Sequence, residues 1–165
     1  MKQLEYEISR ATPDDVSDIT AMIRALAEFE KLTHICVLTE ETLGEALFGP
    51  SPAAEVLICR AQGEPAGFAL FFQHFSTFLA LRGIWLEDLF VYPGHRGAGV
   101  GTALLKAVAA IAVDRECGRF EWAVLDWNTP ALRFYQSLGA SVMPDWRIAR
   151  VTGAALEHLG RPVGG

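Results

Sequence analysis

Residues 84–105 read IWLEDLFVYPGHRGAGVGTALL: a strand-like apolar run ends at Tyr92-Pro93, and an Arg-Gly-Ala-Gly-Val-Gly loop opens a helix. Gly97, Gly99 and Gly101 let the backbone curl without Cβ clashes, so successive N–H groups can converge on an anion at the positive end of that helix. Arg96 adds a fixed positive charge beside the cradle. Three ligands suit such a loop, and spacing separates them. A triphosphate loop needs Lys-Ser or Lys-Thr after its last glycine, and here Gly101 is followed by Thr102-Ala103. A dinucleotide fingerprint places glycines at one, three and six, whereas these fall at one, three and five. Asp126, ending a later apolar run, keeps the dinucleotide reading open. The pyrophosphate of a coenzyme suits the spacing best. A glycine-rich turn without a ligand is disfavoured, because glycines at a helix start cost stability unless something must approach closely.

Working outward, Tyr6 to Ser9 reads as a short strand. Thr12-Pro13-Asp14-Asp15 reads as an N-cap, a proline at the first helical position and acids in the first turn. Val16, Ile19, Ile23 and Leu26 then recur at helical spacing as far as about Phe29. Thr39 caps a shorter helix carrying Leu43, Ala46 and Leu47 and ending at Gly49-Pro50. Glu55 to Ala61 and Gly67 to Phe75 are apolar runs separated by Gly63-Glu64-Pro65, the pattern of a hairpin, and Ile84 to Val91 is a third strand. Beyond the glycine loop, Val100, Leu104, Leu105, Val108, Ile111 and Ala112 mark one helical face, with Gly118 placed to end the helix. A strand over Phe120 to Leu125, a helix from Thr129-Pro130 to Gly139 and a last strand over Arg147 to Val151 complete the chain. The order is β-α-α-β-β-β-α-β-α-β, an α+β arrangement in which helices cover a mixed sheet.

With 165 residues, no internal repeat and no linker, the chain is expected to form a single domain over 1–165, with only the tail 160–165 disordered. No apolar run reaches the roughly 20 residues that span a bilayer, and MKQLEYEIS has no apolar signal-peptide centre. Cys36, Cys59 and Cys117 are odd in number and lack CxxC spacing, which argues against a disulfide framework or zinc site and for a cytoplasmic location. The net charge of −6 argues against a nucleic-acid partner, because affinity for a phosphate backbone comes from lysine and arginine, and mildly favours a cationic one. His34, His74, His95 and His158 show no metal-ligand spacing, and no GxSxG sequence supplies a serine nucleophile.

Arg96-x-x-Gly99-x-Gly101 between a strand and a helix resembles the acetyl-CoA signature of the GCN5-related N-acetyltransferases. The resemblance extends through SDI at 17–19, LTE at 38–40, LEDLFV at 86–91, RGAGVG at 96–101 and DWNTPALRFYQSLGA at 126–140. That series is similar to the diamine (spermidine/spermine) N-acetyltransferase branch, including its thialysine-acetylating relatives. It implies a mixed, mostly antiparallel central sheet with helices on both faces, acetyl-CoA as cosubstrate, no metal, and a homodimer.

The resemblance also implies roles. The backbone of Leu89, Phe90 and Val91 would pair with the pantetheine arm as an added strand. Arg96 and the amides of Gly97, Ala98, Gly99, Val100, Gly101 and Thr102 would hold the pyrophosphate, and Asn128 and Pro130 would contact the coenzyme from another side. Without the family, Asn128 reads equally as a turn residue before a helix. Tyr135, with Leu132 and Leu138 at three-residue spacings, reads on periodicity as a core aromatic. In related enzymes the matching tyrosine protonates the departing thiolate. A phenol near pKa 10 is a weaker acid than a thiol near 8.5, so full transfer is uphill by roughly 2 kcal/mol, and a hydrogen bond to the developing thiolate is the better description.

Glu87 and Asp88 are neighbours on a strand, so alternation places their side chains on opposite faces, with different roles. An alkylamine near pKa 10.4 needs about 4 to 5 kcal/mol to present its free base at neutral pH, which an acceptor for its proton offsets. In the family's pattern Glu87 draws that proton and Asp88 helps to bind the cationic substrate; charges that guard a sheet edge are the structural alternative. Glu30 matches a further acidic position for amine binding, or is a solvated helix end. Polyamine-specific members tend to be acidic just after it, whereas this chain has Lys31-Leu32-Thr33-His34-Ile35-Cys36, which makes a smaller amine or a lysine-like amino acid comparably suited. Trp85, Trp122, Trp127 and Trp146 read most simply as core or interface residues. Transfer by direct attack is the expected reaction, with Cys117 no nucleophile; a catalytically silent acetyl-CoA-binding regulator of the same fold is the rival.

Overall fold

The computed structural model describes residues 5–161. They divide into two compact units, one ending at Ala123 and one beginning at Val124.

The first unit is built on a five-stranded sheet in the order β1-β2-β3-β4-β5. The strands are β1 (Tyr6–Arg10), β2 (Glu55–Ala61), β3 (Glu64–Ser76), β4 (Leu81–Val91) and β5 (Arg119–Trp122). β1 through β4 pair antiparallel, and β4 pairs with β5 in parallel. The β2–β3 turn is tighter than the sequence suggests: Gln62 and Gly63 both have positive φ, 53° and 87°, the two-residue turn whose twist matches paired strands. β3 therefore begins at Glu64 and runs through Pro65.

Val56, Leu57, Ile58 and Cys59 are buried in succession, as in a strand covered on both faces. On one face Val56, Ile58, Phe68, Leu70 and Phe90 pack with Ile19 and Met22 of α1 (Val16–Phe29) and Leu47 of α2 (Glu40–Phe48). α3 (Val100–Asp114) buries Val100, Leu104, Leu105, Val108 and Ala112 and packs on β2, β3 and β4, which places it on the other face. Thr39 caps α2 through its hydroxyl, which accepts from Thr42 N–H at 3.2 Å. Thr12 instead opens a 3-10 turn, Pro13–Asp15, that leads into α1. Asp15 and Asp18 both hold the guanidinium of Arg60 on β2, at 2.5 and 2.8 Å, tying the start of α1 to the sheet.

Two boundaries differ from the sequence reading. α3 ends at Asp114, and Gly118 serves the strand instead: its N–H donates to Arg82 C=O at 2.8 Å, and a Cβ there would meet Leu79 and Leu81. β5 stops at Trp122 rather than Leu125, because its ladder on β4 ends at Leu86.

The second unit contains α4 (Thr129–Ser137) and α5 (Gly153–Leu159). Gly139, φ 89°, turns the chain after α4 as expected. The strand expected over Arg147–Val151 is not formed, and no sequence signal had marked α5. A strand needs a neighbour to take its N–H and C=O groups, and no described segment pairs with 147–151. Of the expected disordered tail, Gly160 and Arg161 are described; 162–165 lie outside the described residues.

Candidate active site

The site begins with an irregularity in β4. Leu70 of β3 faces Asp88, but the next residue, Phe71, faces Leu86, so Glu87 is an extra residue without a counterpart. Such a bulge bends the strand and resets which face each side chain takes. Leu70 lies on the α1 face, so Asp88 opposite it does too; Phe72, two residues on, shares that face and pairs with Trp85. The indole Nε1 of Trp85 donates to Glu87 Oε2 at 2.9 Å. Glu87 and Asp88 are thereby brought to one face, contrary to the alternation expected of a regular strand.

Their electrostatics follow from that placement. Burial pushes the Asp88 carboxyl up to about 6, and the negative charges of Glu87 and Glu30 add to the rise. Glu30, the residue that caps the C-terminus of α1, is also raised, by burial. Three carboxylates from α1 and β4 thus share a site where each gains from a cation. Glu87 is exposed, Asp88 and Glu30 half-buried.

The bulge also marks where the sheet opens. β4 pairs with β5 only over Gly83 to Leu86, so Glu87 to Val91 have no strand on that side among the described residues. Tyr92 N–H donates to Ala66 C=O of β3, at 3.0 Å. Since successive residues of a strand point their polar groups to alternate sides, Phe90 faces β3 while Leu89 and Val91 direct theirs to the open edge. Val91 C=O there accepts from Arg96 Nε at 2.9 Å. The Arg96 guanidinium lies over the rings of Phe29 and Phe90, at 5.2 and 6.0 Å.

After a 3-10 turn, Pro93–His95, the chain reaches the glycine loop. Gly97 and Gly99 have φ of 77° and 87°, and a Cβ on either would point into open space. Gly99 caps α3 with no side-chain acceptor, so the first amides of the helix, Val100, Gly101 and Thr102, keep the unpaired donors of a helix start. Ala103 N–H is the first to close a turn, on Gly99 C=O. Open strand edge and free helix amides thus follow each other directly along the chain, beside the carboxylates.

In the second unit, Asn128 is the N-cap of α4: its Oδ1 accepts from Ala131 N–H at 3.3 Å, the turn role that its position allowed. Pro130 lies in the exposed first turn. Tyr135 is half-buried, its ring 5.3 Å from that of Phe134.

Sequence reasoning missed Trp85 as a partner of Glu87, and it missed a charged group on β3 and β5. His74 Nε2 lies 3.1 Å from Glu121 Oε2, within ion-pair reach but not in hydrogen-bond geometry, and Arg119 Nε lies 3.2 Å from the same oxygen. Tryptophan and glutamate two residues apart on a strand share a face, a signal that was present. Among the described residues no cluster of His, Cys, Asp and Glu could hold a metal ion, and no helix is long and apolar enough to cross a membrane.

Residues 21–140 match the profile of the Acetyltransferase (GNAT) family. The chain is 39% identical to a thialysine N-epsilon-acetyltransferase of Mus musculus, over 92% of this chain and 95% of that protein. It is 34% identical to an L-ornithine N5-acetyltransferase of Arabidopsis thaliana, over 92% of this chain and 86% of that protein. Among solved structures, an integron cassette protein from the mobile metagenome of V. cholerae superposes with a TM-score of 0.80 at 25% identity, covering 95% of this chain and 98% of the other. The α+β fold, the glycine loop after β4 and these relatives agree: the chain belongs to the acetyltransferase (GNAT) family and is an acetyltransferase acting on amines.

Proposed function

We propose that this enzyme moves an acetyl group from acetyl-CoA to the terminal primary amine of a small cationic acceptor, a diamine, polyamine or lysine-like amino acid, by direct attack. The carrying observation is that one strand, β4, presents two carboxylates at its bulge, an unpaired edge beyond it and a glycine loop at its end. The residues fit acetyl-CoA: Leu89 and Val91 would pair with its pantetheine arm, and Arg96 with the amides of Gly97 to Thr102 would hold its pyrophosphate. When bound, it supplies an activated thioester carbonyl.

Glu87 accepts the ammonium proton, directly or through water, and Asp88 and Glu30 attract the cation and hold it on the α1 face. From the family resemblance, Asn128 and Pro130 contact the coenzyme, and Tyr135 donates a hydrogen bond to the leaving sulfur. The named relatives support an amino acid with a terminal amine over a long polyamine, as does the segment Lys31 to Cys36, which carries no carboxylate to hold a polycation. A single domain over 1–165, a homodimer and a cytoplasmic location complete the reading.

Mixing the protein with acetyl-CoA and a panel of diamines, polyamines and lysine analogues while following thiol release tests it. The expected outcome is turnover that is fastest with short diamino compounds. Tight acetyl-CoA binding without release above background for any amine would instead identify a catalytically silent regulator.

A further inference from the structure

Beyond Asp88, the α1 face of the sheet carries two rows of cross-strand neighbours. One holds Phe72, Trp85 and Glu121; the next holds His74, Gly83 and Arg119. Gly83 has no side chain, so the His74 imidazole passes over β4 to reach Glu121 on β5; a Cβ at position 83 would lie 2.5 Å from His74 Nε2.

Arg119 and His74 both approach Oε2 of Glu121, and Arg119 does so through Nε alone. The ion pairs of Glu121 use Oε2 and that of Arg119 uses Nε, which leaves Oε1 of Glu121 and the terminal nitrogens of Arg119 without an ion-pair partner among the described residues. The two side chains are 38% and 43% exposed, so their mutual pairing contributes little to stability while their free atoms face solvent. Side by side they offer a guanidinium fork and a carboxylate oxygen, the complement of an α-carboxylate next to an α-ammonium group.

The spacing also suits. Asp88 and Glu121 lie about two residues apart along the strands and one strand apart across them, roughly 8 Å from standard sheet dimensions. The extended chain from the terminal nitrogen to Cα of ornithine or lysine spans roughly 5 to 6 Å at bond lengths of ~1.5 Å, and hydrogen bonds at its ends take up the difference.

We propose that Arg119 and Glu121 read the amino-acid head of a diamino-acid acceptor whose terminal amine lies at Glu87 and Asp88. Arg119 binds the α-carboxylate and Glu121 the α-ammonium group. This assignment rests on the acetyl-transfer reading above. A plain diamine of the same length has an ammonium group for Glu121 and nothing for Arg119, so Arg119 separates the two classes.

The test compares kcat/KM for L-ornithine with that for putrescine, which lacks only the carboxylate, in wild type, Arg119→Gln and Glu121→Gln. Arg119→Gln is expected to lower the ornithine-to-putrescine ratio tenfold or more, whereas Glu121→Gln lowers both values and leaves the ratio within about twofold. A ratio within twofold of wild type in Arg119→Gln overturns the assignment. Calorimetric titration with L-ornithine provides a readout independent of turnover: weaker binding by Arg119→Gln supports the head-group site, and equal binding refutes it. Should wild type release no thiol with any amine, the acetyl-transfer reading fails, and the titration alone decides on the head-group site.

Discussion

Trp85 holds Glu87: its indole nitrogen donates to Oε2 at 2.9 Å, along the face of the sheet to which the bulge also brings Asp88. The other oxygen of Glu87 is left for the acceptor's proton. An exposed glutamate on a bulge samples several rotamers unless something restrains it, and this bond is the restraint. Trp85→Phe keeps a ring beside His74 and removes the donor. Steady-state kinetics should show kcat/KM for the amine about fivefold lower, the equivalent of one net hydrogen bond, with KM for acetyl-CoA unaltered. In Glu87→Gln the Trp85 indole N–H resonance should move. A static resonance would show that the bond is not made in solution.

Asp88 trades stability for charge. With its carboxyl raised to about 6 against an ordinary 3.8, the folded state binds the proton more tightly than the unfolded chain. Stability therefore falls as pH rises between those two values and stays lowered above them. Asp88→Asn removes the buried charge, so denaturant titration at pH 8 should find the variant more stable by about 1 to 3 kcal/mol, a gain that vanishes near pH 4. Activity should move the opposite way: in wild type kcat/KM for the amine rises with pH through about 6 as Asp88 ionises, a limb absent from the variant. A variant less stable at pH 8 would contradict this account.

Gly99 and Gly63 form a matched pair. Both have φ of 87° and open space where a Cβ would stand. Replacing either by alanine should cost the same backbone strain, about 1 to 2 kcal/mol. Only Gly99→Ala should also weaken acetyl-CoA binding, and Gly99→Val should abolish it, which thermal shift with and without ligand would report. Equal affinity in all three variants would remove the glycine loop from the site.

Gly83 is needed for a different reason, the passage of the His74 ring. Gly83→Ala should destabilise the fold by about 1 to 3 kcal/mol through overpacking. Adding His74→Ala should restore most of that loss, because the imidazole is the nearer of the atoms displaced. A double variant as unstable as the single one would locate the clash at the Arg119 carbonyl instead.

Tyr135→Phe should lower kcat at least tenfold while acetyl-CoA affinity changes little, as expected of a donor that acts on the leaving sulfur. Unchanged turnover would leave Tyr135 as the core aromatic that its helical spacing suggests.

Periodicity was a good guide wherever one face of an element is buried locally. α1, α2 and α3 were legible because residues such as Ile19, Leu47 and Leu104 fall at the spacing of a covered face, and the hairpin strands because Val56 to Cys59, covered on both faces, form an unbroken apolar run. It failed at residues 147–151, where Ile148 and Val151 are both exposed and no strand among the described residues pairs with them. The glycine loop was legible because its conformation is written in residue type. The shared face of Glu87 and Asp88 was not, since a bulge arises from the register of β3 against β4, a non-local property that neither strand states alone. The Arg119, Glu121 and His74 group was hidden likewise: three strands distant in sequence must align before its members meet.

The single unmatched residue in β4 divides that strand into two stretches under separate constraint. Up to Leu86, side chains facing α1 are set by rows shared with β3 and β5; from Asp88 onward, among the described residues, only β3 pairs with the strand. On the proposed assignment the first stretch, with Glu87 and Asp88 at the junction, sorts acceptors, and the second from Leu89 onward serves the acetyl carrier. A lineage could therefore exchange residues around Trp85, Arg119 and Glu121 to adopt a new amine while the carrier's seat stays intact, so that substrate range can drift faster than the chemistry.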